Sequence, residues 1–149
     1  MVNRIVLLDA GPLGLVSNPG RSQAAKACNR WLRRLISTET IVAIPEIADY
    51  EVRRELLRAD KSAGLARLDE LLDVLDDWPI TTAVMRRAAE LWAETRRAGE
   101  PTASPDALDA DVILAAFGQS SAAEVVVATT NVGHLGRFVA AMEWIDIQP

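Results

Sequence analysis

The sequence predicts an α/β fold in which a mainly parallel sheet of about five strands is covered by helices. Short apolar segments alternate with longer segments whose apolar residues recur every three or four positions, as in chains that form parallel sheets. The short segments are apolar throughout, which fits strands buried on both faces. The length of 149 residues suits a single domain over residues 1–149.

The first third of the chain predicts two strands and a helix. Residues 4–8 form an apolar run that ends at Asp9, and Ala-Gly-Pro follows, which predicts a strand and a tight turn. Ser22 begins a helical pattern. A second strand spans Ile41 to Ile44 and ends at Pro45. The apolar stripe of the helix between them consists of Ala24, Cys28, Trp31, Leu32 and Leu35, so Cys28 is a packing residue.

The middle of the chain predicts three helices around a short third strand. The helix after Pro45 carries its apolar stripe at Ala48 and Val52, and Ser62 is placed to cap the next helix. Trp78 to Ile80 is the expected third strand, and a helix from Thr82 to about Arg97 follows it.

The last third of the chain predicts a loop, a helix and two strands. The segment from Gly99 to Pro105 is loop-like, and the almost wholly apolar segment from Leu108 to Phe117 is helical. Val125 to Ala128 is a β-branched strand, and Glu143 to Ile147 is the last expected strand.

Composition excludes several classes of protein. One Cys and one His exclude an intramolecular disulfide, a Cys-rich zinc site and a multi-His metal site. No apolar run approaches the roughly 18–20 residues of a membrane-spanning helix, and Asp9 interrupts the apolar stretch near the N-terminus, so we expect a cytoplasmic protein without a secretory signal. The net charge of −5 argues against simple tracking of phosphates, but less against a nuclease whose acidic site holds cations.

Three carboxylates form a candidate site. Asp9 ends the first strand, and Glu51 borders the apolar stripe of its helix, although a plain surface charge is the alternative for Glu51. Asp111 lies in an apolar helix, where a charge needs a partner or a metal ion. Asp109 cannot share the face of Asp111, since residues two apart on a helix diverge, and it is a first-turn or supporting residue. Asn131 follows the fourth strand and adds a neutral oxygen ligand, and such oxygen donors suit Mg²⁺ or Mn²⁺.

Four segments of the chain together resemble one family. They are IVLLDAGPLG with Asp9, IPEIADYEVRREL with Glu51, LDADVILAA with Asp111, and VATTNVGH with Thr129 and Asn131. In this order they resemble the PIN domain, and more narrowly the VapC-like toxins of bacterial toxin–antitoxin pairs, over residues 4–147. The resemblance implies a three-layer α/β/α fold around the parallel sheet. It also implies cleavage of single-stranded RNA by metal-activated water, which leaves a 5′-phosphate and a 3′-hydroxyl.

The resemblance assigns roles to individual residues. Asp9, Glu51 and Asp111 match the family's acidic residues in order, with Asp9 and Asp111 as the metal ligands and Asp109 as the alternative to Asp111. Asn131 stands where the family carries Asp or Asn, so a second metal ion is expected to bind weakly or only with substrate. Thr129 matches the hydroxyl residue that supports the first carboxylate, and Glu51 would ligate the metal or act as base toward the attacking water.

The resemblance also implies partners, and the residues leave alternatives open. A VapB-like antitoxin and a homodimer are implied, and some of the four tryptophans would suit an interface although core packing accounts for at least half of them. Arg53 and Arg54 are candidates for holding the RNA backbone, and His134 for touching substrate. A non-catalytic module of the same fold that docks a protein partner is the main alternative. A haloacid-dehalogenase-like phosphatase would need an Asp at position 11, which is Gly.

Overall fold

The computed structural model describes residues 4–18, 20, 22–99, 105–133 and 135–149. The sheet contains β1 (Ile5–Leu8), β2 (Ile41–Pro45), β3 (Asp76–Trp78), β4 (Val125–Thr129) and β5 (Ala141–Glu143). The helices are α1 (Ala10–Ser17), α2 (Gln23–Ile36), α3 (Glu46–Arg58), α4 (Ser62–Val74), α5 (Thr82–Ala98) and α6 (Pro105–Gln119). Short 3₁₀ turns span Leu135–Arg137 and Trp144–Asp146. In the described part of the chain, no helix is both long and apolar enough to cross a bilayer.

All five strands run parallel, in the order β3-β2-β1-β4-β5. The central strand β1 is buried on both faces, as its unbroken apolar sequence predicts. Val6 and Leu8 face a layer that contains α1, α2 and α4, whereas Ile5 and Leu7 face α5 and α6. The predicted three-layer α/β/α fold with a mainly parallel sheet is confirmed.

Helix α3 joins the two helical layers at the carboxyl end of the sheet. Its Ala48 and Val52 pack into the core under α1 and α2, while its Ile47 packs into the core under α5 and α6. The helix follows β2 without a loop: Pro45 ends the strand, has extended backbone angles, and is the N-cap of α3. This position places one face of α3 beside the start of α1 and beside α6.

The start of α1 corrects one sequence prediction. The Ala-Gly-Pro segment after Asp9 begins a helix rather than forming a turn. Pro12 is only the third residue of this helix, where a missing N–H removes no intrahelical hydrogen bond. The Asp9 side chain caps the helix, so the expected turn residue is the N-cap.

The outer strands and some helix ends also differ from the predictions. Strand β3 lies at Asp76–Trp78 instead of Trp78 to Ile80. It is an edge strand that begins with two exposed polar residues, so no run of apolar residues marks it in the sequence. Strand β5 lies at Ala141–Glu143, and the apolar residues after it form the 3₁₀ turn. Trp144 packs edge-on against Trp31 on α2, with ring centroids 5.6 Å apart, which explains why that segment is apolar without being a strand.

Two of the smaller assignments are wrong by one residue. Ala25, not Ala24, lies on the core face of α2. The helical pattern begins at Ser22 as predicted, and Ser22 is the N-cap of α2. Ser62 is the first residue of α4 rather than its cap, since Lys61 precedes the helix and makes no side-chain capping bond. Cys28 is buried in the core as expected, and burial raises the pKa of its thiol to about 12.

Candidate active site

Asp9 is fixed at the junction of β1 and α1. Its backbone N–H donates to the carbonyl of Ala128 in β4 at 2.9 Å, and its carbonyl accepts from the N–H of Leu13 at 3.0 Å. Its Oδ1 accepts a hydrogen bond from the N–H of Ala10 at 2.7 Å. The carboxylate is therefore held at the carboxyl edge of the sheet, where ligands bind in parallel α/β folds.

Thr129 holds the other oxygen of Asp9. This residue ends β4 and is only 1% exposed. Its hydroxyl donates to Asp9 Oδ2 at 2.8 Å and accepts from the N–H of Asn131 at 3.0 Å. The hydroxyl thus links the loop after β4 to the carboxylate, while Asn131 itself is exposed at the same edge.

Helix α1 and the loop after β4 approach each other closely at Gly11. A Cβ at this position would lie 2.7 Å from the Cγ2 of Thr130, a distance that real Cβ atoms essentially never show. Gly14, one turn further along α1, has open space where a Cβ would stand. An added Cβ at position 11 would therefore force Thr130 or helix α1 to shift, two residues after the N-cap Asp9.

Glu51 brings a second carboxylate from α3, and Asp111 brings a third from α6. Burial raises the pKa of Asp9, although its hydrogen bonds from Ala10 and Thr129 lower it. Burial also raises the pKa of Glu51, as do the charges of Asp9 and Asp111, while Arg54 lowers it. Glu51 therefore lies within electrostatic reach of both Asp9 and Asp111, and repulsion from these two charges favours a proton or a cation at Glu51.

The two aspartates of α6 occupy different surroundings. Asp111 is partly buried and acts electrostatically on Glu51. Asp109 is exposed in the second turn of the helix, since α6 begins at Pro105, and it lines grooves beside α3 and α5. The expectation that Asp109 is a first-turn residue is therefore wrong. Asp106 lies within α6, and its side chain is outside the described part of the structure.

The two arginines expected to hold RNA differ in position. Arg53 forms ion pairs with Asp49 at 3.0 Å and with Asp69 of α4 at 2.8 Å, so it joins two helices. Arg54 lies beside Glu51 in the grooves on both sides of α3. Arg54 is therefore the better placed of the two for a ligand at the carboxylates. His134 lies outside the described residues.

A single divalent cation would be bound by some of these three carboxylates and not by all of them. Among the described residues, no three His, Cys, Asp or Glu side chains lie close enough together to share one ion. Mg²⁺ in proteins is held by one or two carboxylates and completes its coordination with water and substrate oxygens. Asp9 and Asp111 provide oxygen donors of this kind, and one or two such carboxylates would meet that lesser requirement.

Two grooves meet at Glu51 and Arg54. One, of about 310 Å³, runs between α1 and α3 past Ala10 and Gly14. The other, of about 290 Å³, lies between α3 and α6 and includes Tyr50. Sequence reasoning did not single out Tyr50. Its place next to Glu51 and four residues before Arg54 was the available indication, because residues four apart share a helix face.

Comparison with known proteins identifies the fold. No protein-family model and no curated protein matches the chain. The structure is similar to that of VapBC2 from Rickettsia felis, bound to a DNA fragment from its promoter, with a TM-score of 0.70 and 17% identity over 94% of this chain and 98% of that one. FitAcB from Neisseria gonorrhoeae matches with a TM-score of 0.69 and 20% identity over 95% of this chain and 99% of the other.

A third similar structure is VapC20 from Mycobacterium tuberculosis, described as a toxin that cleaves the sarcin-ricin loop. It matches with a TM-score of 0.64 and 14% identity over 97% of this chain and 99% of that one. Each match spans nearly the whole of both chains, and each identity is low enough that only the fold is established. The chain has the PIN-domain fold of the VapC-like toxins.

Proposed function

We propose that this chain is a metal-dependent endoribonuclease that cleaves single-stranded RNA, and that it is the toxin of a VapBC-type toxin–antitoxin pair. The observation that carries the proposal is the convergence of Asp9, Glu51 and Asp111 at the carboxyl edge of a PIN-fold sheet, with the Thr129 hydroxyl bonded to Asp9. Repulsion between neighbouring carboxylates destabilises the folded protein, so their presence together in a groove indicates a functional site that attracts a cation.

The residues divide the work of phosphodiester hydrolysis. A bound Mg²⁺ or Mn²⁺ lowers the pKa of water and neutralises charge on the phosphate. Asp9 and Asp111 would hold that ion, with Asp9 oriented by Ala10 and Thr129. Glu51 would ligate or accept the proton of the attacking water, and its raised pKa makes it a stronger base than an exposed glutamate.

Two further groups complete the proposed site. Asn131 would add a neutral oxygen at the exposed edge, one charge fewer than an aspartate in that place. Arg54 borders both grooves at Glu51 and is exposed, so it can contact a phosphate of the RNA backbone. Arg53 is a weaker candidate, because a phosphate would have to displace its two ion pairs.

The proposed partners follow from the fold. Structures with this fold have been solved as VapBC and FitAB assemblies, which supports a VapB-like antitoxin as the partner of this chain, and we propose a homodimer as its own assembly. Expression of the wild-type chain alone should arrest bacterial growth, and the Asp9→Asn variant should not. Sedimentation of the purified chain tests the homodimer, and a monomer at micromolar concentration would contradict it.

The deciding experiment is cleavage of fluorescent single-stranded RNA in Mg²⁺, Mn²⁺ or EDTA. We expect cleavage only with metal, and loss of it in Asp9→Asn and Asp111→Asn while circular dichroism shows both folded. Asp73→Asn, an exposed carboxylate on α4, is the matched control and should cleave normally.

The other outcomes separate the alternatives. Cleavage that survives Asp111→Asn but not Asp109→Asn would make Asp109 the third acidic residue. A folded protein that neither cleaves RNA nor binds Mn²⁺ in a direct titration would be a non-catalytic module that acts through a protein partner.

A further inference from the structure

The groove between α3 and α6 is a pocket attached to the candidate active site. It has a volume of about 290 Å³ and includes Glu51, so any group bound there lies next to the carboxylates. Its apolar lining comes from Ile47 on α3 and from Ala110 and Ile113 on α6. A flat, mostly apolar group with polar edges suits such a lining better than a phosphate does.

An exposed aromatic ring forms one side of this pocket. Tyr50 is 55% exposed, although it lies in the middle of α3 and next to the buried Val52 stripe. The guanidinium of Arg54 lies over the Tyr50 ring, 5.1 Å from its centroid. An exposed aromatic ring paired with an arginine is the surface on which proteins stack unpaired nucleobases.

The edge of the pocket carries a carboxylate that the proposed hydrolysis does not use. Asp109 is exposed and lines the pocket opposite Tyr50, from α6. An ionised carboxylate only accepts hydrogen bonds, so it favours a base that carries an amino group: N4 of cytosine, N6 of adenine or N2 of guanine. Uracil has no amino group, and carbonyl oxygens flank its N3–H on both sides, so the carboxylate disfavours it.

A second groove lies on the other side of α6 and repeats the pattern. Asp109 and Ile113 also line this groove of about 410 Å³ between α5 and α6. Trp92 at its side is 39% exposed, and the guanidinium of Arg96 lies 5.4 Å from the Trp92 ring centroid. A second exposed aromatic–arginine pair, in a groove that shares Asp109 with the first, favours an extended single strand as the occupant.

We infer that the Tyr50–Asp109 pocket binds one unpaired nucleobase beside the cleaved phosphodiester and selects there a base that carries an amino group over uracil. Tyr50 supplies the stacking surface and Asp109 reads the amino group, so both act on substrate choice rather than on the bond that breaks. The inference rests on the proposed ribonuclease function, and it assigns Asp109 a role distinct from that of Asp111.

Binding without chemistry tests the stacking part. Short fluorescent RNAs are titrated with the full chain in EDTA, and the dissociation constant is read from anisotropy. Tyr50→Ala should raise the dissociation constant about tenfold for each RNA that places a base in the pocket. Tyr50→Phe keeps the ring, and its dissociation constant should lie within about twofold of the wild-type value. Both substitutions are at an exposed position, and circular dichroism checks the fold.

Cleavage of matched substrates tests the selection. The cut position is first mapped on a mixed-sequence RNA, and each neighbouring nucleotide is then varied through all four bases. Wild type should cut RNAs with cytosine, adenine or guanine at one neighbouring position in preference to those with uracil there. Asp109→Asn, whose amide can also donate, should lower that preference by about tenfold while the best substrate is still cut. Asp73→Asn is the control for loss of one negative charge.

Three results would overturn the inference. Cleavage without any base preference, or with one that Asp109→Asn leaves intact, would refute it and leave the ribonuclease standing. Loss of a dimer in Tyr50→Ala, seen by sedimentation, would assign the pocket to a contact with a second copy. Absence of both RNA binding and cleavage in the wild type would refute the inference together with the proposed function.

Discussion

Replacing Thr129 by valine tests the hydrogen bond on which the position of Asp9 depends. Valine has nearly the same shape and suits a strand, so the substitution removes the hydroxyl from a residue that is 1% exposed without opening a cavity. A hydrogen bond to a charged group contributes about 1.5–3 kcal/mol, and one to a neutral group about 0.5–1.5 kcal/mol. We therefore expect a loss of about 2 kcal/mol where Asp9 is ionised and about 1 kcal/mol where it is protonated.

The sign of the pH dependence follows from the pKa of Asp9. Burial already raises this pKa in the wild type, so ionisation of Asp9 lowers the stability of the folded state as the pH rises. The Thr129 hydroxyl opposes that effect by lowering the pKa. Without the hydroxyl the pKa of Asp9 rises further, and the free energy of unfolding of Thr129→Val falls more steeply with pH than that of the wild type.

Urea denaturation in EDTA at pH 4.5 and pH 7.5 measures the effect. With a slope of about 2 kcal/mol per molar urea, a loss of 2 kcal/mol moves the midpoint by about 1 M. Thr129→Ser keeps the hydroxyl, loses one methyl group at a cost of about 1 kcal/mol, and should show no added pH dependence. A Thr129→Val loss that is equal at the two pH values, or smaller at pH 7.5, would refute the reasoning.

Three further predictions concern charge, packing and reactivity. In EDTA at pH 7.5, Glu51→Gln should unfold at a higher temperature than wild type, because it removes a carboxylate whose pKa is raised by burial and by neighbouring charges. Mg²⁺ should stabilise the wild type more at pH 7.5 than at pH 5. An unchanged melting temperature in both tests would contradict this prediction. Gly11→Ala should lower the free energy of unfolding because its methyl group would clash with Thr130. Gly14→Ala, the control in the same helix, should raise that free energy by roughly 0.5–1 kcal/mol in chemical denaturation. Equal effects of the two substitutions would show that the contact at position 11 is unimportant. Cys28, buried with a pKa of about 12, should resist iodoacetamide in the native protein and react only after urea unfolds it, as mass spectrometry would show.

Much of the fold was predictable because its centre follows simple patterns. Strands β1 and β2 are apolar along their whole length, and β4 is apolar up to the Thr129 that ends it. Helices such as α5 have clear starts, with Thr81 capping the first turn. The edge strands were misplaced for the opposite reason. β3 is exposed and contains Asp76 and Asp77, so its pairing with β2 is backbone hydrogen bonding that side-chain patterns do not record.

The candidate site was predictable to the extent that chain position determines it. Asp9 and Thr129 end neighbouring parallel strands, and that alone places them at one edge of the sheet. The pocket at Tyr50 was not predictable, because it depends on how closely α3 and α6 pack. The ion pair of Arg53 with Asp69 has the same origin, since the two residues are 16 positions apart and meet only when α3 and α4 fold together.

The two aspartates of α6 show why spacing alone left the third acidic residue open. Residues two apart on a helix point about 200° apart, so Asp109 and Asp111 cannot serve the same surface. Sequence fixes that divergence but not the rotation of the helix, and the packing of Leu108 and Val112 into the core supplies it. With the helix so oriented, Asp111 acts electrostatically on Glu51, whereas Asp109 lines the groove beside α3 and the groove beside α5. Substitutions at the two positions should therefore differ in kind, Asp111→Asn abolishing cleavage of every RNA and Asp109→Asn redistributing cleavage among RNAs.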